Sequence, residues 1–210
     1  MAIILDEFGG FSGVVTIEDI LEEDERILVR LRPNKKAYIL ERITKMLPVA
    51  LIWLLFDGGF IAIMIATGVF VEAPEMIWFI VPFFLFHLAP VWIWIASIVK
   101  GVGEYKNIEY AFTEKRVIIR SGMIGIDFKT FYYSDIVGVN VKVGILEKMF
   151  KVGDIYLKSA TQAAILDDIP NPYEYLSKLQ KITLDIKADI YYPNDLRPEE
   201  NHGYNTKYKG

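Results

Sequence analysis

Two long apolar stretches, separated by a short acidic turn, dominate the pattern of hydrophobic and polar positions. The first covers residues 46–71, with Asp57 as its only charged side chain, and the second covers residues 76–99, without Asp, Glu, Lys or Arg. In a helix, about 20 apolar residues span the ~30 Å hydrocarbon core of a bilayer. Two buried helices of a soluble core are the alternative, although core helices rarely stay apolar on every face for this length. The pattern therefore predicts an antiparallel transmembrane hairpin.

After Lys100 the hydrophobic period falls to two, which is typical of strands. We predict six short strands, over residues 109–113, 116–121, 126–133, 137–143, 154–159 and 163–166. The strand over residues 137–143 alternates most cleanly, and its four valines are expected to face inward. Strands of this length and spacing indicate a small antiparallel barrel or sandwich.

One helical turn is predicted over residues 145–150, and a longer helix begins with Asn171 as its N-cap and Pro172 at its first position. An apolar stripe along that helix suits the closing of one end of the barrel; it comprises Leu176, Leu179, Ile182, Ile186 and Ile190. The fold class predicted for residues 105–190 is α+β, within an α+β membrane protein.

The segment before the hairpin, residues 24–45, is rich in Lys and Arg. We predict that it forms a basic juxtamembrane elbow at the membrane surface, with a helix after Pro33. Lys and Arg are also frequent just after Val99 and absent from the turn at residues 72–75. By the positive-inside rule, both termini are expected in the cytoplasm, with the chain in the cytoplasmic membrane.

Two polar side chains interrupt the hairpin. Asp57 lies 15 residues before Glu72 and His87 lies 12 residues after Glu75, so an antiparallel hairpin places both near the same depth. An isolated carboxylate at that depth costs about 2.5–3.5 kcal/mol on insertion scales, which a neighbouring imidazole partly offsets. The pair is either a hydrogen bond that fixes the register of the hairpin or part of a proton or ion relay.

Gly58, Ala62 and Ala66 form a stripe of small residues at intervals of four. Such stripes allow a second helix to approach closely. The second helix is either the hairpin partner or a second copy of the chain.

Composition narrows the classes of function. The chain has 210 residues, a net charge of −4, no cysteine and two histidines, His87 and His202. The mild charge argues against nucleic acid, and the lack of cysteine excludes disulfides and thiolate metal sites. We find no catalytic triad, phosphate-binding loop or metal-ligand cluster, and we expect no enzyme activity, cofactor or metal site. The polar tail, residues 191–210, is expected to be a docking strap or disordered.

The first 23 residues resemble a known motif. Residues 6–10 read DEFGG and residues 13–23 read GVVTIEDILEE. This is similar to the end of a cystathionine-beta-synthase (CBS) domain in haemolysin-like and magnesium/cobalt-efflux-type proteins. In that family the positions of Thr16 and Asp19 can hold the ribose of an adenine nucleotide. Because the preceding strands and the partner motif are missing from this chain, we expect either a vestigial fusion or a misplaced start, and no nucleotide binding.

Residues 25–190 resemble the bacterial membrane-anchored branch of the pleckstrin-homology (PH) family. The matching positions are Leu31-Arg32-Pro33, residues 110–122 (YAFTEKRVIIRSG), residues 133–136 (YSDI) with Val139, residues 144–148 (GILEK), residues 152–155 (VGDI) and residues 169–172 (IPNP). The resemblance implies a small barrel with one closing helix, tethered to the membrane, which binds partners or self-assembles and has no catalytic residues.

The function predicted from these observations is a membrane-anchored scaffold that makes protein contacts or self-associates at the cytoplasmic face of the membrane. Two alternatives stay open: an accessory component of an ion-transport or efflux system linked to a CBS-type regulator, and a weak sensor of anionic lipid. The last would use a basic rim, which would otherwise be a solvated sheet face; its candidates are Lys115, Arg116, Arg120 and Lys129. Residues 105–190 carry 12 basic and 11 acidic side chains, which disfavours long-range attraction to anionic headgroups.

Overall fold

A computed structural model describes residues 15–191, so residues 1–14 of the CBS-like fragment and residues 192–210 of the predicted tail lie outside the described part. The described chain divides into two units. One is the hairpin unit, residues 34–106, and the other is the sheet unit, residues 15–33 and 107–191.

The hairpin unit is helical throughout, and its bounds are α1 Lys35–Ala66, α2 Val69–Glu72, α3 Ile77–His87 and α4 Ala89–Tyr105, with a 3₁₀ turn at Pro74–Met76. Asn34 caps α1, because its side-chain oxygen accepts hydrogen bonds from the backbone N–H groups of Lys36 (3.0 Å) and Ala37 (3.3 Å).

Neither apolar run forms one continuous helix. Residues 46–71 are interrupted at Gly68, whose φ of 74° lies in the left-handed region that glycine adopts without steric cost. Residues 76–99 are interrupted at Leu88, just before Pro90, which lacks an N–H group and clashes with the preceding helical turn. The indole N–H of Trp92 donates to the carbonyl of Leu85 (3.0 Å), which a continuous helix would pair with the N–H of residue 89.

Among the helices in residues 15–191, α1 alone is long and apolar enough to cross a membrane by itself. The stretch Pro74–His87 and α4 together would provide a second span if that pair, bent by 50°, counted as one.

The sheet unit contains two antiparallel sheets. The four-stranded sheet has the order β1-β2-β3-β4 and the three-stranded sheet has the order β5-β6-β7. The strand bounds are β1 Ile27–Leu31, β2 Glu109–Thr113, β3 Arg116–Ser121, β4 Asp127–Tyr132, β5 Ile136–Lys142, β6 Val152–Ser159 and β7 Ala163–Pro170. Helix α5 spans Ile145–Phe150 and helix α6 spans Pro172–Tyr191. The unit is thus mixed α+β with antiparallel sheets. Each of its six later strands overlaps a predicted strand, but β6 begins two residues earlier and β7 ends four residues later than predicted.

Strand β1 was not predicted. The sequence assigns residues 24–45 to one juxtamembrane elbow, whereas the structure divides them between a strand and the start of α1. Arg30 pairs with Ala111 and Leu31 with Tyr110, so β1 is an edge strand of the first sheet. The segment that precedes the hairpin in sequence therefore belongs to the same sheet as the strands that follow it.

The inward-facing valines of β5 are only partly as predicted. A register shift between Ile136 and Gly138 lets Ile136 and Val139 point into the core, and Val137 is exposed. A bulge inserts one residue and reverses the alternation on one side of it, which explains the error at Val137. Helix α6 packs on the sheets through buried Leu179, and the ring of Tyr175 stacks on Phe112 at 5.9 Å.

Candidate functional site

The strands β2 and β3 are buried on both faces, which is unusual for strands of a small sheet. Their outer face is covered by residues 15–25, which we call the N-terminal strap. Ile17 of the strap is 0% exposed and packs with Ala111 and Ile118, both also 0% exposed. Four partly buried apolar side chains complete this cluster: Ile20, Leu21, Ile27 and Phe128. The strap is therefore seated on an apolar floor.

A local turn shapes the strap. Asp19 Oδ2 accepts hydrogen bonds from the backbone N–H (2.6 Å) and the hydroxyl (3.0 Å) of Thr16, and the 3₁₀ turn Glu18–Ile20 follows. The two residues that resemble nucleotide-binding positions of a CBS domain thus contact each other. In this arrangement they shape the backbone that carries Ile17 to the sheet.

A buried ion pair anchors the end of the strap. Arg116 Nη2 lies 2.6 Å from Glu25 Oε2, and Arg116 Nε lies 2.9 Å from Glu25 Oε1. The hydroxyl of Thr113 also donates to Glu25 Oε1 (2.6 Å), and Arg116 Nη2 donates to the carbonyl of Ile20 (2.8 Å). Burial pushes the pKa of Glu25 upward, but hydrogen bonds from Arg116 and Thr113 outweigh burial and hold that pKa below its ordinary value.

Two further acidic side chains of the strap pair with basic side chains of the sheet unit. Glu18 accepts from Arg30 of β1, and Glu22 accepts from Lys115 at the turn before β3. These hydrogen bonds lower the pKa of Glu18 and the pKa of Glu22. Glu18, Glu22 and Glu25 thus place three carboxylates of the strap against basic side chains of the sheet unit.

One carboxylate of the sheet itself lies among three arginines. Glu109 Oε1 accepts from Arg30 (3.3 Å), while Glu109 Oε2 lies 3.6 Å from Arg32 and 4.0 Å from Arg120. Arg120 is only 6% exposed, and within residues 15–191 nothing accepts a hydrogen bond from its buried Nε. This end of the face therefore has more positive charge than the nearby carboxylate balances.

The predicted basic rim takes a different form in the structure. Arg116 and Arg120 project from β3 toward the strap and are buried, so neither an exposed rim nor a solvated face describes them. Lys115 contacts Glu22, and Lys129 is exposed in register with Ile119, on the opposite face of the sheet from Arg120. The sequence-based rim is wrong as a single exposed cluster, because strand alternation separates Lys129 from the two arginines.

The packing of the strap on the sheet is not predicted by the sequence. The acidic residues Glu18, Glu22 and Glu25 recur at intervals of four and three, next to apolar Ile17, Ile20 and Leu21. That spacing is typical of an amphipathic segment, whereas the resemblance to a CBS motif implies a nucleotide site at the same residues. The pattern alone indicates an acidic amphipathic segment, but it does not show that this segment packs on β2 and β3.

The predicted polar pair of the hairpin is brought together in the structure. His87 Nδ1 lies 2.8 Å from Asp57 Oδ1, and Asp57 is 2% exposed. Among the residues that the structure describes, none hydrogen-bonds Asp57 Oδ2. A neutral His87 would donate from Nδ1 to the carboxylate and leave Nε2 as an acceptor.

Aromatic rings surround His87. The ring of Phe83 stacks on the imidazole at 5.3 Å, and the rings of Trp53 and Phe56 lie at 6.1 Å from it. His87 also lines an open, mostly apolar groove of about 450 Å³, together with Trp78, Phe79, Pro82, Phe83 and Phe86. The contact between His87 and Asp57 thus joins α3 to α1 inside a mostly apolar, aromatic environment.

The small-residue stripe does not pack within the hairpin unit. Gly58, Ala62 and Ala66 are all exposed, and no atom lies within 4 Å of a Cβ added at Gly58. The buried positions of α1, among them Ala50, Asp57 and Met64, lie on a different side of the helix. The second helix of the hairpin, one of the two predicted partners, therefore does not cover this stripe.

Comparison with known proteins gives one match. The model of a family described as bacterial PH domain matches residues 49–185, which is more than half of the chain and extends from the first apolar run into α6. No curated protein and no solved structure matches the chain.

Proposed function

Since the chain belongs to the bacterial PH domain family, we propose that it is a membrane-anchored binding and scaffold protein, whose sheet unit makes protein contacts at the cytoplasmic face of the membrane. The observation that carries the proposal is the extent of the family match, which runs through the apolar helices into both sheets. The proposed role is binding and assembly rather than catalysis.

The exposed surface of the hairpin unit supports membrane insertion. Large apolar side chains cover its outside, and Trp78 is 84% exposed. The most apolar window of α1 is only 11% buried, unlike that of a helix in the core of a soluble protein. In water such a surface would aggregate, whereas lipid solvates it at no cost. We propose that α1 forms one span and that α3 with α4 forms a second, bent span.

The topology of the proposed hairpin can be tested on this cysteine-free chain. Ala73 precedes the 3₁₀ turn between the two spans and Ser177 lies on exposed α6. In right-side-out membrane vesicles, an impermeant maleimide is expected to label Ala73→Cys at once and Ser177→Cys only after lysis. Labelling of Ser177→Cys in intact vesicles, with none of Ala73→Cys, would show that the proposed orientation is reversed.

Self-association is the second part of the proposal, and the exposed stripe on α1 supports it. Small residues let two helices approach until their backbones are in van der Waals contact. Anchoring in a membrane also raises the local concentration of the sheet units, which favours weak contacts between them. The proposed assembly is therefore a homo-oligomer with the stripes of neighbouring copies in contact.

Gly58→Leu combined with Ala62→Leu tests this assembly. The leucines have free space within the chain itself, so we expect the fold to persist and the particle in mild detergent to shrink to a monomer. Light scattering coupled to size exclusion measures the mass. Ala96→Leu, at an exposed alanine of α4, is the matched control and should leave the mass unchanged. An unchanged oligomer in the stripe variant would contradict this mode of assembly.

A further inference from the structure

We propose that the outer face of the four-stranded sheet is a docking face for an acidic amphipathic peptide segment of a partner protein, and that the N-terminal strap occupies this face in cis. The inference rests on the proposed binding function and names the chemistry of the partner. The same contacts that hold the strap define what a competing segment needs: carboxylates at its polar positions and branched aliphatic side chains, such as isoleucine and leucine, at its apolar positions.

The charge of the face depends on the strap. Five basic side chains lie on or beside it, and with the strap seated they face four carboxylates, those of Glu18, Glu22, Glu25 and Glu109. The basic side chains are Arg30, Arg32, Lys115, Arg116 and Arg120. Without the strap only Glu109 remains, so the net charge of this set rises from +1 to +4. An uncovered face would attract an anionic ligand strongly at short range.

The floor of the face favours a peptide over a lipid headgroup. Ala111 and Ile118 are fully buried beneath Ile17, with Phe128 beside them, so the centre of the face binds aliphatic side chains. The basic groups surround this floor: they lie on β1 and β3, at Arg32 just after β1, and in the turn between β2 and β3. A segment that alternates acidic and aliphatic residues satisfies both features, as residues 17–22 (IEDILE) do.

Arg120 can donate at least one hydrogen bond that no residue of the described chain accepts while the strap covers the face. Its side chain is nine-tenths buried, its Nε lacks an acceptor among residues 15–191, and its closest carboxylate oxygen is 4.0 Å away. A buried guanidinium usually binds carboxylate through two parallel hydrogen bonds. A partner segment with an acidic residue at this end of the face would supply the missing acceptor.

The strap competes with any partner peptide for the face. A tethered segment acts at an effective concentration on the order of millimolar, so a partner peptide must compete with it. The wild-type chain is therefore expected to bind such a peptide weakly, and a chain with a weakened strap is expected to bind it more tightly. This order of affinities distinguishes an occupied docking face from a permanent structural contact.

The test uses the full chain in phosphatidylcholine nanodiscs and a fluorescent peptide with the sequence of residues 15–25, VTIEDILEEDE. Glu18→Gln with Glu22→Gln weakens the strap without touching the buried Glu25. We expect this variant to bind the peptide about tenfold more tightly than wild type, and a scrambled peptide to bind neither. Glu23→Gln with Asp24→Asn removes the same charge from exposed positions and should match wild type.

A second measurement does not depend on weakening the strap. The thiol of Ile17→Cys would be buried, so its rate of maleimide labelling reports how often the strap lifts from the sheet. We expect an excess of the peptide to raise this rate severalfold. Failure of the peptide to bind the Glu18→Gln, Glu22→Gln variant and to raise the labelling rate would overturn the proposal and make the strap a fixed part of the fold.

The lipid alternative gives a different result. If the weakened variant gains affinity for the soluble headgroup glycerophosphoglycerol but not for the peptide, the face binds anionic lipid and the proposal is wrong. Topology and oligomeric mass are measured on the same protein without peptide. Failure of those two tests would contradict the proposed anchoring and assembly, whereas failure of peptide docking alone would leave both standing.

Discussion

Replacing Arg116 by alanine is expected to lower the free energy of unfolding of the sheet unit by about 3–5 kcal/mol. The substitution leaves the Glu25 carboxylate buried with the Thr113 hydroxyl as its remaining side-chain donor, and it also removes the donor to the carbonyl of Ile20. All four tryptophans lie in the hairpin unit, so their fluorescence does not report on the sheets. Hydrogen exchange of the backbone amides of β2 and β3, in the full chain in detergent, measures the loss.

Arg26→Ala is the control for this experiment. Arg26 also lies near a carboxylate, Glu114 at 3.9 Å, but its side chain is 73% exposed, and exposed ion pairs contribute about 1 kcal/mol or less. Replacing Glu25 and Arg116 together by methionine should cost less than Arg116→Ala, because no unpaired charge stays buried. If Arg116→Ala costs no more than Arg26→Ala, the buried pair does not hold the strap on the sheet.

The strands after the hairpin could be predicted because their signals are local. The bounds predicted for β2 and β3, residues 109–113 and 116–121, are those of the structure, since alternation and the short turn between them lie within one window of sequence. Helix α5 was likewise found from residues 145–150 alone. The errors lie where pairing with another strand decides the outcome: the bulge in β5, the earlier start of β6 at Val152 and the extension of β7 to Pro170.

Strand β1 and the strap could not be predicted because their partners are distant in the chain. Arg30 contacts Glu109 across 79 positions, and Arg116 contacts Glu25 across 91, with the whole hairpin between them. A five-residue strand beside a basic helix start gives a weak local signal, and the sheet that receives it lies beyond the apolar runs. The family match starts at residue 49 and so does not cover them either.

The contact between Asp57 and His87 was predictable, in contrast, because helical rise fixes it. Two residues at similar distances from a tight turn must lie at similar heights in antiparallel helices. The breaks at Gly68 and Leu88 do not separate the two side chains. What could not be read from spacing is the ring of aromatic side chains around His87. Those contacts depend on the rotation of each helix about its axis.

We expect His87→Ala to destabilise the hairpin unit by about 1.5–3 kcal/mol, because it removes the one hydrogen bond that the described residues donate to the buried Asp57 carboxylate. A buried polar group that loses its hydrogen-bond partner costs free energy, because it cannot replace that partner with water. Asp57→Asn together with His87→Gln should cost much less, since two neutral amides can still hydrogen-bond each other. Tryptophan fluorescence during denaturation in mixed micelles is the measurement, because Trp53 lies beside His87.

The double variant also separates a structural pair from a relay. If the pair is structural, the effects of the two substitutions are coupled. The joint change then costs little stability and alters no transport property. In a relay, the double variant would be as stable as wild type and yet lose a proton or ion flux that the wild-type chain shows in liposomes. Thr67, whose exposed hydroxyl donates to the carbonyls of Ile63 and Met64 in its own helix, is the control position, and Thr67→Val should change neither stability nor flux appreciably. A flux that depends on Asp57 and His87 would therefore show that the pair does more than fix the register of the hairpin.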